Sequence, residues 1–268
     1  MDRFGQMSED IVIDIRQPGK AEVIEVGTTG PAVPGEVHQF RQRLVLALDV
    51  DDSVLAMRWA ARMQPWFGVA KVGLELFSAA GPQVVAELLE AGFRVFVDLK
   101  VLDIPTTTRK AARVLGALGA SYFTVHASAG LATLAAGAEG LAEGAARAGL
   151  PAPAVLAVTV LTSEAEAPAD LVRSRVEAAR DAGCGGFVCA ASDLSVAKAI
   201  APGLLAVVPG IRLAGTGRDD QGRAATPAEA LLAGADMLVI GRAVTASAEP
   251  EAAAASILEE LAAASASV

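Results

Sequence analysis

The stretch Val95-Phe-Val-Asp98-Leu-Lys100-Val-Leu-Asp103-Ile104-Pro105 decides how this chain is read. An apolar strand runs directly into acid, base and acid. Strand side chains alternate between faces, so Asp98 and Lys100 are expected on the same side. Asp103 follows three residues later, past the expected strand end. A buried lysine is costly unless it is paired and hydrogen-bonded. Two carboxylates bracketing one ammonium supply that pairing, and they hold the lysine in its charged form. A fixed, charged lysine at a strand end is a proton donor suited to a carbanion. Taken alone, Asp-x-Lys equally describes a structural ion pair, and the surrounding chain decides between the two.

Outward from this stretch the pattern is regular. The strand Arg94–Leu99 leads into a helical stretch at Thr107–Leu118, a Gly119 suited to a left-handed helix end, and an apolar strand at Tyr122–Val125. The same alternation extends to both sides. Further strands are expected at Leu44–Leu48, Val69–Val72, Ala154–Val158, Gly186–Cys189, Leu205–Val208 and Met237–Ile240. Helices are expected at Ser53–Met63, Gln83–Ala91, Leu131–Ala148, Ala169–Ala182, Asp193–Ile200, Pro227–Ala233 and from about Glu251 to Ala264, with Gly92, Gly183 and Gly234 as further left-handed ends. A strand-helix unit repeated eight times, with nothing left over, predicts an α/β fold of the (β/α)8 TIM-barrel type, favoured over an open doubly wound sheet. Residues 1–42 read as an N-terminal extension, with a possible hairpin from Ile11–Ile15 and Ala21–Val26 around Pro18-Gly19. Residues 43–268 form the barrel domain.

Sites in such barrels form where strands end. Asp49 closes the first strand, Lys71 lies near the end of the second, Asp98 and Lys100 end the third, and His126 ends the fourth. Together with Asp103 these charges make either a reactive set or a structural network closing the barrel top. Gly210-Ile-Arg212, Gly215-Thr-Gly217-Arg-Asp-Asp-Gln221 and Ile240-Gly241-Arg242 follow the seventh and eighth strands, where barrels often grip phosphate. Glycines let the backbone approach the oxygens, and Arg242 adds charge.

The 268 residues carry a net charge of −9, which argues against a general nucleic-acid binder. Two cysteines, Cys184 and Cys189, do not make a disulfide scaffold and are expected as buried thiols. No apolar run is long enough for a membrane span, and the N-terminus has no signal core. A cytoplasmic setting is expected. No Walker or dinucleotide glycine pattern is present, so ATP and NAD are not implied, and the lack of a catalytic triad or histidine-rich metal set disfavours hydrolase and zinc chemistry.

With these residues in view, the chain resembles the orotidine 5′-phosphate decarboxylase family. Asp98-Leu-Lys100-Val-Leu-Asp103-Ile104-Pro105-x-Thr107 resembles its signature. Leu46-Ala-Leu-Asp49, Lys71-Val-Gly73, Val125-His126-Ala127, Leu161-Thr162-Ser163, Pro209-Gly-Ile-Arg212, Asp219-Asp-Gln221 and Ile240-Gly241-Arg242 fit in order and spacing, from Leu44 to about Thr245. The resemblance implies decarboxylation of orotidine 5′-monophosphate to UMP and CO2 through a C6 carbanion that Lys100 protonates. It places Asp98 beside the leaving carboxylate, and Asp49 and Lys71 on the ribose hydroxyls. Ser163 falls on the pyrimidine amide edge. Pro209, Arg212, Gln221, Gly241 and Arg242 fall around the phosphate. It also implies a homodimer in which Asp103, Ile104 and Thr107 reach into the neighbouring site, and no metal or organic cofactor. Thr106 stands where the family usually carries Asn, and its hydroxyl is expected to cap the next helix. The nearest rival is a Mg2+-dependent sugar-phosphate lyase such as 3-hexulose-6-phosphate synthase, which shares Asp-x-Lys-x-x-Asp. A non-catalytic nucleotide-binding barrel is the rival from another class.

Overall fold

In the computed structural model, the described residues are 40–164, 166–213 and 223–266. The expected hairpin of the extension lies outside them. Eight parallel strands close into a barrel in sequence order. They are β1 (Leu44–Leu48), β2 (Val69–Gly73), β3 (Arg94–Val101), β4 (Tyr122–His126), β5 (Ala154–Val158), β6 (Gly186–Val188), β7 (Leu205–Val208) and β8 (Met237–Ile240). Closure is made by β1 against β8, with Leu44 opposite Leu238. The strands are apolar because both of their faces are covered. Val45, Val69, Phe96, Tyr122, Leu156, Val207 and Met237 fill the barrel interior. The alternate residues pack outward, where Leu44, Leu46, Ala70, Val95, Val97 and Phe123 meet the helices.

The helices are α1 (Ser53–Met63), α2 (Leu74–Ala80), α3 (Gln83–Glu90), α4 (Pro105–Ala117), α5 (Leu131–Arg147), α6 (Ala169–Asp181), α7 (Leu194–Ile200), α8 (Pro227–Leu232), α9 (Arg242–Thr245) and α10 (Pro250–Ser265). Helix α2 is an addition to the sequence expectation. It fits between Gly73 and Gly81 and buries Leu76. Gly92, Gly119, Gly183 and Gly234 all take positive φ, as expected of left-handed helix ends. The start of α4 departs from expectation. Ile104 is its extended N-cap residue and Pro105 the first helical residue, with no side-chain cap bond, so Thr106 is not the cap. Proline's fixed φ already suits the first turn, and its missing N–H removes one donor that a cap would have served. Among the described residues no helix is long and apolar enough to cross a membrane.

Helices α4 and α5 approach almost backbone to backbone. A Cβ on Gly140 would lie 2.3 Å from the Arg109 carbonyl oxygen, and one on Gly144 would lie 2.0 Å from that of Arg113. A Cβ on Gly116 would meet the Leu141 carbonyl oxygen at 2.1 Å. These are contacts with backbone, which cannot swing aside. Around the seam, Glu143 gathers Arg109, Arg113 and Arg147. Because α4 springs directly from the charged end of β3, its seating fixes where residues 103–107 lie.

Gly144→Ala is expected to destabilise the protein by about 1–3 kcal/mol through overpacking. In a domain of this size that lowers Tm by about 2–4 °C per kcal/mol. A Cβ on Gly203 meets nothing within 4 Å, so Gly203→Ala should leave Tm nearly unchanged. Equal melting temperatures for the two variants would show that the seam tolerates separation.

Candidate active site

The charged residues expected at the strand ends come together along one line. Lys71 Nζ donates to Asp49 Oδ1 at 2.9 Å and stands 3.7 Å from Asp98 Oδ2. Lys100 Nζ donates to the same Asp98 Oδ2 at 2.8 Å. The order in space is Asp49, Lys71, Asp98, Lys100, so every charge has an opposite neighbour. Asp98 and Lys71 are only 8% and 7% exposed, so the pairing offsets a real desolvation cost. The register explains the meeting: Ala47 of β1 lies opposite Lys71, and Gly73 of β2 opposite Asp98. Gly73 matters by what it lacks, since a Cβ there would sit 3.0 Å from Lys71 Nζ and 3.1 Å from Asp49 Oδ1.

Strand β3 is not regular where it carries the pair. Val97 pairs with Phe123 and Val101 with Val125, so three residues of β3 face the single Thr124 of β4. Within this bulge Lys100 has φ 47°, the one positive φ of a non-glycine among the described residues. Such backbone is strained for a lysine. The Lys100 amide donates to Thr124 Oγ1 at 2.9 Å, and Thr124 Oγ1 donates to Asp98 Oδ1 at 3.0 Å. Thr124 is fully buried and was not among the residues singled out from the sequence.

Asp49, Lys71, Asp98 and Lys100 line a cavity of about 560 Å³. Its other walls bring in the expected Ser163, Pro209, Arg212, Gly241 and Arg242. The Pro209–Arg212 turn is pinned from behind, with Ile211 bridged to Ala225 and the Arg212 amide donating to the Ala225 carbonyl at 3.0 Å. Gln221 and the rest of the 215–220 motif lie outside the described residues.

Asp103, Ile104 and Thr107 do not line this cavity. All three are exposed, and Asp103 Oδ1 accepts the Ile104 amide at 2.6 Å. Two carboxylates were expected to bracket Lys100, but within one chain Asp98 alone pairs with it. The chain turns away after Val101, so Asp103 is carried to the outer rim.

His126 sits at the end of β4 with Nδ1 2.9 Å from Ser128 Oγ. Burial and the nearby Arg175 guanidinium hold its pKa below the ordinary imidazole value, which favours the neutral ring. Burial also pushes the Cys184 thiol up to about 12 and the Cys189 thiol higher still, so neither is a nucleophile at neutral pH. A second buried ion pair was not legible in the sequence. Arg223 Nη1 lies 2.7 and 2.6 Å from the two Asp193 oxygens, and its Nη2 donates to the Leu161 carbonyl at 3.1 Å. This clamp ties together the segments that follow β5, β6 and β7.

Residues 42–257 match the family described as Orotidine 5′-phosphate decarboxylase / HUMPS family. An orotidine 5′-phosphate decarboxylase of Moorella thermoacetica is 43% identical over 234 residues, covering 82% of this chain and 92% of that protein. One from Parasynechococcus marenigrum is 46% identical over 231 residues, covering 82% and 94%. The crystal structure of orotidine 5′-phosphate decarboxylase from Lactobacillus acidophilus superposes with a TM-score of 0.70 at 32% identity, over 82% of this chain and 99% of that one. By its sequence and by its barrel, the chain belongs to the orotidine 5′-phosphate decarboxylase / HUMPS family.

Proposed function

We propose that the chain decarboxylates orotidine 5′-monophosphate to UMP and CO2, the last step of de novo pyrimidine nucleotide synthesis, and that Lys100 protonates the C6 carbanion. The observation that carries this reading is the Asp49–Lys71–Asp98–Lys100 line on the cavity wall, with Lys100 anchored to Asp98 at 2.8 Å. Departure of CO2 leaves an electron pair at C6, with no electron sink in the ring to take it. A fixed ammonium stabilises that charge as it develops and then delivers its proton to the carbon. In this reading Asp98 lies beside the leaving carboxylate and holds Lys100 aimed at C6. Asp49 and Lys71 hold the ribose hydroxyls. Ser163 takes the pyrimidine amide edge. The Pro209–Arg212 turn, Gln221, Gly241 and Arg242 hold the phosphate. Binding energy from that remote phosphate is then available to orient the reacting carbon.

The family description also embraces sugar-phosphate lyases, but the curated relatives named above carry the decarboxylase name at 43–46% identity. We place the enzyme in the reducing cytoplasm, in keeping with its two free, buried cysteines.

The proposal includes a homodimer. Leu102 and Ile104 are each 64% exposed beside Asp103, and Leu74, Val114 and Leu131 are further large apolar residues in the open. An exposed apolar set next to a carboxylate that its own cavity does not use suits an interface in which Asp103, Ile104 and Thr107 complete the neighbour's site.

Loss of orotidine monophosphate absorbance should be rapid with purified protein and unaffected by EDTA. Turnover that requires Mg2+, or none at all, would turn the reading toward another phosphorylated substrate. Lys100→Ala should lower turnover by at least about 100-fold, the scale of a positioned general acid, while UMP still binds. Lys100→Ala and Asp103→Ala chains should each be nearly inactive alone. Mixed one to one, they should regain about a quarter of wild-type turnover, because half the dimers are hybrids and each hybrid has one intact site. No recovery on mixing would mean that Asp103 serves its own chain.

A further inference from the structure

We propose that Thr124 is a positioning residue for the proton donor: its single hydroxyl fixes both the left-handed backbone of Lys100 and the orientation of the Asp98 carboxylate. The inference rests on the proposed role of Lys100, and it starts from a gap in the ladder between β3 and β4. Pairing stops at Val97–Phe123 and resumes at Val101–Val125. The Lys100 amide therefore falls inside a bulge, where the regular ladder supplies no backbone acceptor. A buried amide needs one, and Thr124 Oγ1 provides it at 2.9 Å.

The direction of the hydroxyl then follows. A hydroxyl has one hydrogen to give and lone pairs to receive. Since the amide can only donate, the Thr124 oxygen accepts from it. The carboxylate of Asp98 can only accept when ionised, so the Thr124 hydrogen goes to Asp98 Oδ1 at 3.0 Å. This leaves Asp98 Oδ2 for the two lysines, at 2.8 Å from Lys100 and 3.7 Å from Lys71. One buried side chain thus divides the labour of the two carboxylate oxygens: Oδ1 is held by the barrel, Oδ2 faces the ammonium groups.

The same bond accounts for the strained lysine. At φ 47° a non-glycine residue persists only when its surroundings over-determine it. Lys100 is held at both ends, through its amide by Thr124 and through its ammonium by Asp98, and Asp98 is held by the same Thr124. The three groups form a closed ring of hydrogen bonds across two strands. Replacing the hydroxyl with a methyl group opens that ring at two places, while every charged residue remains. The lysine and carboxylate are then free to relax toward regular strand geometry, which moves Nζ away from the position it holds now.

Thr124→Val, which matches the shape of threonine but has no hydroxyl, is expected to lower kcat by about 100-fold, the scale of a small misplacement of a reacting group. KM and the affinity for UMP should change little, because the groups proposed to hold phosphate lie across the cavity. Thr124→Ser, which keeps the hydroxyl, should restore most of kcat. Thr124→Cys, close in size and only a weak donor, serves if the valine variant fails to fold, and it should show the same selective fall in kcat. A residue that merely supports the barrel would instead lower Tm, with serine losing as much as valine. Valine or cysteine variants with kcat near wild type would overturn the proposal, as would a serine variant as impaired as valine. Absence of turnover in the wild-type protein would overturn the proposed reaction, which separates that failure from this one.

Discussion

Everything at the top of this barrel depends on one carboxylate, Asp98. It is nearly buried, and its Oδ2 is shared between two ammonium groups. Moving one carboxylate out of water costs several kcal/mol even after relaxation, and so does moving an ammonium. The cost is bearable only if opposite charges meet at close range with their remaining polar atoms bonded. Asp98 satisfies that condition on both oxygens, and Lys71 satisfies it by reaching Asp49 as well. Removing Asp98 would leave Lys100 without a partner and two ammonium groups facing each other, and removing Lys71 would leave Asp49 unpaired. The line is therefore a property of three strands at once, and the barrel's register must be correct for it to exist.

That requirement travels outward through the fold. Register between β1, β2 and β3 is set by which residues point inward, because a slip of one would put Val97 or Leu99 where Asp98 stands. Inward-facing Phe96 and Tyr122 pack edge to face below the charges, with centroids 6.1 Å apart, and hold the strands at that level. Outside the barrel, the glycine seam draws α5 against α4 until their backbones nearly touch. Helix α4 begins two residues after Asp103, so this close packing sets the height at which the rim segment leaves the barrel. The site's inner half is thus fixed by the strand ladder and its outer half by a helix pair.

The sequence made the barrel legible because parallel strands covered on both faces read as short, continuous apolar runs. Four of the eight strands differ from expectation by one or two residues, all at the C-terminal end, where the strands reach the site. The charged line was legible for the same reason: Asp49, Lys71, Asp98 and Lys100 stand out against apolar strands. Helix α2 escaped notice because seven residues between two glycines carry too little periodicity to separate from a loop. Thr124 escaped for a different reason. A threonine inside Tyr122-Phe-Thr-Val is an ordinary strand residue, and its role appears only when β3 bulges against it. The bulge itself had no sequence sign, since left-handed backbone is normally announced by Gly or Asn, and here it falls on a lysine. The Arg223–Asp193 clamp joins residues 30 apart in sequence, a pairing that only the closed barrel brings about.

The strain at Lys100 and the pairing of its ammonium point to one physical arrangement. A lysine on a regular strand would have a long, flexible stem and many rotamers, and holding it still at the moment of proton delivery would cost entropy each time. Here the stem starts from backbone that has already left the strand path, and its end is held by Asp98. The ordering cost is met during folding, by the burial that closes the barrel, rather than during the reaction. The same logic applies to the placement of Lys100 and Asp98 on β3 and of Thr124, which bonds to both, on β4. Two elements of a closed sheet cannot drift apart without breaking the ladder on both sides, so a hydrogen bond between them keeps its geometry better than one made within a loop. The most reactive group in the proposed mechanism is thereby attached to the closed sheet, and the residues proposed to hold the base and the phosphate lie in the loops that follow β5, β7 and β8.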